Sequence, residues 1–327
     1  VRRVPVCRWP DTVLSTDIRC LYVVGGNYLN TGSDVGKSIA AFAKTEFSVC
    51  HELFLTPTAR HSDVVLPVTH FLEREDVVFP AENSMYYSAQ VADPAGSARD
   101  DFDIFADLAG RLGFGDSYTK GLSSSAWLAA LLDESEIPDV AEFRRTGMFH
   151  RLERHRTAFS DFVADPAGNA LSTPSGRIEI SSGRYADLGF PAYPTYRGFA
   201  GDPEYPINLV TPHARFRVNS QNTNIDWFAR REVPELTMHA EDAQARGIPD
   251  GASVMVFNDR GKVIVPVRVG DGIMPGVACL PAGAWLELSD DGIDKGGCPN
   301  MLTSTEPTLP SKGPRTHSVA VEVKLAE

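Results

Sequence analysis

Three polar stretches of this chain carry side chains able to hold an anion. LFLTPTARHSD (53–63) places Thr56 and Thr58 around Pro57, with Arg60 and Asp63 close behind. Either hydroxyl can cap a short helix through ARHS, and free backbone N–H groups at such a start, with Arg60, suit a phosphate. Capping alone accounts for the threonines equally well, so the residues leave both readings open. TPHARFRVNSQNTN (211–224) gathers Arg215, Arg217, Asn219, Ser220, Gln221 and Asn222, with two guanidinium groups suited to a diphosphate or a purine edge. DKGGCPNMLTS (294–304) offers Asn300 to a ligand while Gly296 and Gly297 permit close approach. Each of the last two loops also reads as an ordinary turn.

Two strand ends add to this set. RCLYVV (19–24) runs into Gly25, Gly26 and Asn27 ahead of a helix, which brings bare N–H groups to the carboxyl edge of a sheet. Asn27 can exchange hydrogen bonds there without bringing charge, or simply tolerate a tight turn. CHE (50–52) follows at about the spacing where a dinucleotide fold presents an acid to a ribose hydroxyl, a role for His51 or Glu52 unless the strand end is only solvated.

Other chemistry is poorly supported. TGSDVGKS (31–38) resembles a phosphate-binding P-loop, but Thr31 occupies the first glycine position, Gly32 lies one residue too close, and the strand ends well before it. No GxSxG or HExxH occurs, and His51, His61 and His70 fall on different elements. The acids Glu73, Glu75 and Asp76 fit an exposed turn as well as a carboxylate pair. Cys7, Cys20, Cys50, Cys279 and Cys298 include no CxxC, so no zinc or iron–sulfur site is written here. No metal ligand and no catalytic residue is assigned.

The elements that must position these residues change character along the chain. Apolar runs of strand length at RCLYVV, EFSVC (46–50) and DVVLPV (63–68), with helical SIAAFAK between the first two, predict a parallel sheet covered on both faces. DDFDIFADLAGRLGFG (100–115) predicts an amphipathic helix that stops at glycines. Residues 116–204 read as a less regular connector packed on its neighbours. From 205 the pattern is β: INLVTP, SVMVFN, KVIVPVRV, VACLPAG and SVAVEVKL predict a compact barrel. The expected division is therefore an α/β domain over 1–115, the connector, and a barrel over 205–327.

At 327 residues and 43% hydrophobic content the chain can bury two cores. Its formal charge of −12 disfavours nucleic acid as a partner but leaves room for a local anion site. No run approaches the ~18 apolar residues of a membrane-spanning helix, so no direct membrane insertion is expected, and VRRVPVCRWPDT does not read as a signal peptide.

Taken together, LYVVGGN, EFSVCHELFLTPTARHSDVVLPVTHFLERED, DDFDIFADLAGRLGF, TPSGRIEI, TPHARFRVNSQN, MHAEDAQARGIPDGASVMVFNDRGKVIVPVRVGDGIMPGVACLPAGAW and GGCPNMLT resemble, in order and spacing, the C-terminal half of the dimethyl sulfoxide reductase family of molybdopterin oxidoreductases. The resemblance runs from about residue 19 onward, and its T-x-T-A-x-x-x-D-V-V-L-P and D-A-x-x-x-G-I-x-D-G-x-x-V blocks are specific. It implies a partial doubly wound α/β sheet followed by a six-stranded barrel of the molybdopterin dinucleotide-binding type. The implied cofactor is bis-molybdopterin guanine dinucleotide with molybdenum or tungsten, and a 4Fe-4S cluster only in a preceding N-terminal part. Carried over by position, Gly26, Asn27, His51, Glu52, Thr56, Thr58 and Asp63 match the sheet side, and Arg217, Asn219, Ser220 and Asn300 the barrel side. The GSARDDFDIF pattern (96–105) is similar to the branch that works with an iron–sulfur subunit and a membrane anchor on a small-molecule substrate. That implies a bacterial, exported protein, membrane-associated through partner subunits. The family's cysteine cluster and metal ligand have no counterpart here, which implies one part of a larger catalytic subunit, inactive alone. A relative that kept the fold without the metal, acting as a binding or structural module, is the alternative.

Overall fold

The apolar runs near the start form the strands expected of them. β1 (Cys20–Val24), β2 (Phe47–Glu52) and β3 (Val64–Pro67) lie parallel in that order, with Val23 opposite Cys50 and Cys50 opposite Val65. Side chains alternate between the two faces. One face buries Val23 and Cys50 against Leu29, Phe42 and Ala59. These come from the helices α2 (Tyr28–Thr31), α3 (Val35–Lys44) and α4 (Pro57–Arg60), which follow a first helix α1 (Trp9–Ser15). The opposite face sets Tyr22 and His51 against Phe105 of α5 (Asp101–Arg111). Helices thus cover both faces of a short parallel sheet, as expected of part of a doubly wound domain.

The structure is a computed structural model that describes residues 3–81, 83–151, 157–196 and 201–326. Two compact units emerge: Val1–Arg74 with Val91–Ser123 and Phe199–Glu327, and Glu75–Gln90 with Ser124–Gly198. This differs from the expected three-part division in two places, each with a packing reason. The sheet and the barrel share one unit because Val35 of α3 is fully buried in the barrel's core cluster. The hairpin of β4 (Asp76–Ala81) and β5 (Ser84–Ser88) pairs with β6 (Met148–His150) in the second unit. Met85 there shares a core with Leu128, Leu132, Ile137 and Phe143, so the stretch around 116–204 is more than a connector.

The barrel closes as expected. β7 (Ile207–Val210), β8 (Leu236–His239), β9 (Ser253–Phe257), β10 (Lys262–Gly270), β11 (Val277–Cys279) and β12 (Val319–Leu325) join in the order β10-β8-β11-β7-β12-β9. Alternate residues fill the interior: Val254, Val256, Val263, Val265, Val267, Val319, Val321 and Val323 are each at most 3% exposed. Closure leaves the barrel without an open edge strand.

Candidate cofactor site

The carboxyl edge of the sheet is built around Thr58. Gly25 turns the chain out of β1 with a left-handed φ of +59°, and Asn27 then folds back over α4. Thr58, fully buried, donates its hydroxyl to Asn27 Oδ1 at 3.0 Å and accepts Leu29 N–H at 2.9 Å. Its own N–H also reaches Asn27 Oδ1, at 3.3 Å. Thr56 caps α4 by accepting Ala59 N–H at 3.3 Å and donates to Glu52 Oε2 at 3.3 Å. Both threonine hydroxyls are therefore engaged within the chain, which ties Gly26, Asn27, Glu52, Thr56 and Thr58 into one patch. Asn27 Nδ2 and Asn30 Nδ2 are buried donors without an acceptor among the described residues.

On the barrel side, the loop after β7 holds Arg217, only 7% exposed. Its guanidinium donates to the backbone carbonyl of Glu232, while the Glu232 carboxylate accepts Arg215 N–H at 2.8 Å and Phe216 N–H at 2.6 Å. Burial pulls the Arg217 pKa down, and the Glu232 charge opposes that. A buried cation resting on a neutral carbonyl is suited to an anionic partner. Asn219 adopts φ +52°, and Ser220 O accepts Trp285 Nε1–H at 2.6 Å. Gly283 allows the loop to come this close. It has φ +106°, and a Cβ there would lie 2.0 Å from Asn219 O.

Asn30 joins the two sides. Its backbone carbonyl accepts Asn300 Nδ2–H at 2.8 Å, and its Oδ1 accepts Leu286 N–H at 3.0 Å. Asn300 Oδ1 in turn accepts the Thr303 hydroxyl at 3.2 Å. Ser220, Trp285, Leu286, Asn30 and Asn300 thus form a continuous chain of contacts from barrel loop to sheet loop. The 294–304 loop is shaped by Asp294, fully buried, whose carboxylate accepts Glu287 N–H at 2.8 Å, Gly296 N–H at 2.9 Å and Cys298 N–H at 2.6 Å. Burial pushes the Asp294 pKa up, and these backbone bonds oppose it.

Two expected residues lie elsewhere. His51 is fully buried, with Nδ1 2.7 Å from Asp101 Oδ1 and Nε2 2.7 Å from Tyr22 OH, and it stacks on Phe105. Its side chain faces α5 with both ring nitrogens occupied. Asp63 accepts Ser48 N–H at 2.7 Å and the Ser48 hydroxyl at 2.8 Å, so it ties the start of β2 to the start of β3. That is the amino edge, about 13 Å of strand away from Glu52 at ~3.3 Å per residue. Of the acids at 73–76, Glu73 caps the turn at His70, accepting its N–H at 2.8 Å, and Glu75 accepts from Tyr87 OH. Asn30, Gly283, Trp285 and Asp294 escaped sequence reasoning. Gly283, Trp285 and Asp294 stood in stretches that had drawn notice, VACLPAGAW and DKGGCPNMLTS, but no role was drawn for them from residue type. Among the described residues, no three His, Cys, Asp or Glu side chains gather as metal ligands.

Comparison with known proteins follows the same two blocks. The family model for molybdopterin oxidoreductase matches residues 6–111, and the Molydopterin dinucleotide binding domain matches 207–320. The trimethylamine-N-oxide reductase of Haemophilus influenzae is 34% identical, across 94% of this chain and 42% of its own length. Dimethyl sulfoxide reductase DmsA of Escherichia coli is 32% identical across 95% of this chain and 42% of its own. The dimethyl sulfoxide/trimethylamine N-oxide reductase of Cereibacter sphaeroides is 35% identical, across 89% and 39%. The chain thus spans less than half the length of these curated relatives. In fold it is similar to acetylene hydratase from Pelobacter acetylenicus, with a TM-score of 0.77 and 20% identity over 97% of this chain and 46% of that one. With both blocks matched in order and relatives aligned along nearly its whole length, this chain belongs to the dimethyl sulfoxide reductase family of molybdopterin oxidoreductases.

Proposed function

We propose that this chain is the C-terminal, dinucleotide-gripping part of a catalytic subunit that uses bis-molybdopterin guanine dinucleotide to reduce a small S-oxide or N-oxide. The observation that carries this reading is the joint at Asn30, where sheet and barrel loops meet, with the Asn27 and Asn30 amide donors unpaired among the described residues and Arg217 buried in the loop after β7. These residues fit a ligand rich in phosphate oxygens and purine acceptors.

Gly26, Asn27, Glu52, Thr56 and Thr58 would hold it from the sheet, and Arg217, Asn219, Ser220 and Asn300 from the barrel. Arg217 supplies the positive charge. The amides of Asn27 and Asn300 supply neutral donors, and the left-handed turn at Asn219 shapes the loop. His51 and Asp63 support the sheet from behind. When bound, the group supplies oxygen-atom or hydroxyl transfer coupled to two-electron chemistry at molybdenum or tungsten. The chain's own work is to bind, orient and shield it from water. A larger subunit bearing the metal ligand and a 4Fe-4S cluster, an iron–sulfur electron-transfer subunit and a membrane anchor complete the proposed assembly, exported in a bacterium.

Full-length protein purified anaerobically should contain molybdenum or tungsten and release GMP on acid hydrolysis. Stoichiometric metal without guanine nucleotide refutes the cofactor assignment, and absence of both favours a non-catalytic module that kept the fold. Arg217→Lys, which keeps the charge and loses the planar fork, should lower nucleotide content about tenfold, the factor that ~1.4 kcal/mol of lost binding gives.

A further inference from the structure

The lysine of TGSDVGKS has a place in the fold that likeness to a P-loop does not give it. Asp34 opens α3 with a left-handed φ of +52°, a backbone state that a residue with a Cβ rarely adopts and keeps only where its surroundings fix it. Its carboxylate accepts Lys37 N–H at 3.1 Å, and its own N–H donates to the Thr303 hydroxyl at 3.3 Å. Lys37 Nζ lies 3.0 Å from Asp11 Oδ1 and 3.4 Å from Asp34 Oδ2, and it donates to the Thr305 hydroxyl at 3.0 Å. The ammonium is therefore engaged within the chain and not held out to a phosphate. Thr303 and Thr305 are at most 5% exposed and belong to the barrel side, while Asp11 and Lys37 lie on α1 and α3. One cation between two carboxylates thus ties a sheet helix to the end of the loop that carries Asn300. Thr303 passes the tie on, since its hydroxyl lies 3.2 Å from Asn300 Oδ1, whose amide nitrogen donates to Asn30 O.

We propose that Lys37, held between Asp11 and Asp34, is a positioning residue for the guanine dinucleotide. It fixes Thr305 and, through Asp34, Thr303 against α3, and so sets the Asn300 side chain for the ligand. The proposal rests on the cofactor reading above and deepens its barrel side. Hydrogen bonds to a charged group are stronger than neutral ones, so the ammonium is the firmest of these contacts. Without it Asp11 and Asp34 lose their shared counter-charge and Thr305 loses its donor.

The rate at which bound nucleotide leaves the full-length protein, followed as GMP remaining after acid hydrolysis, tests this. Release should be about tenfold faster in Lys37→Met than in the parent, and close to parental in Lys37→Arg, which keeps the charge. In an Asn300→Ala background Lys37→Met should add nothing, because the clasp acts through Asn300, whereas its cost in thermal unfolding should be the same in both backgrounds. Parental release from Lys37→Met, or an equal acceleration in both backgrounds, overturns the proposal. Should Lys37→Met fail to fold, Thr305→Val removes only the hydroxyl of the same contact. Faster release that depends on Asn300 supports the proposal, and parental release overturns it. GMP absent from the parent overturns the cofactor reading and the proposal with it. GMP present in the parent and held equally by both variants overturns the proposal alone.

Discussion

Replacing Thr58 with valine preserves the shape of a fully buried side chain and deletes one hydroxyl. Leu29 N–H then loses its 2.9 Å acceptor, and Asn27 Oδ1 loses one of two donors while keeping Thr58 N–H at 3.3 Å. An orphaned buried donor costs ~1–3 kcal/mol and the weakened acceptor adds a fraction of that, so the unit should lose about 2 kcal/mol. Equilibrium urea unfolding of the full-length protein measures this. Guanine nucleotide content measured in parallel should fall, because Asn27 is no longer oriented. Thr58→Ser serves as control: it keeps both hydrogen bonds and gives up one methyl group, near 1 kcal/mol, with nucleotide retained. A Thr58→Val protein within about 0.5 kcal/mol of the parent and with full nucleotide content would refute the role given to this hydroxyl.

Other substitutions separate support from ligand contact. His51→Leu should cost ~1–2 kcal/mol for its lost hydrogen bonds yet leave nucleotide content unchanged; nucleotide loss at parental stability would return His51 to the site. Gly283→Ala forces a Cβ to within 2.0 Å of Asn219 O at a left-handed φ. It should destabilise by ~1–3 kcal/mol in thermal unfolding, and an unchanged midpoint counts against the close approach. For Asp63, the Ser48 hydroxyl and N–H hold the carboxyl below its ordinary value of 3.8. Its contribution is thus present above pH 3.8 and lost as pH falls through the lower folded-state value. The stability gap between the parent and Asp63→Asn should close as the protein is acidified, and a pH-independent gap excludes this linkage.

How much was legible varies by element. Periodicity was enough for RCLYVV, EFSVC and DVVLPV, since a sheet covered on both faces leaves near-continuous apolar runs whatever lies around it. The barrel strands were equally plain, because closure buries alternate residues along each strand. The hairpin 76–88 was not, for its attachment depends on Met85 meeting Leu128 and Phe143, residues distant in sequence.

Sequence alone determined the order of α/β and β segments, the family blocks, and the short list of polar loops, because local spacing and residue type are written along the chain. It could not say how each of those side chains is engaged within the fold. His51 and Thr58 sit seven residues apart and looked equally available. The tertiary structure seals one beneath α5 between Asp101 and Tyr22 and sets the other under Asn27. Likewise, Asn30 became the joint between sheet and barrel loops only when Leu286 and Asn300 arrived beside it, 256 and 270 residues later in the chain. Contacts across such separations come from packing and closure of the barrel, which no local pattern encodes.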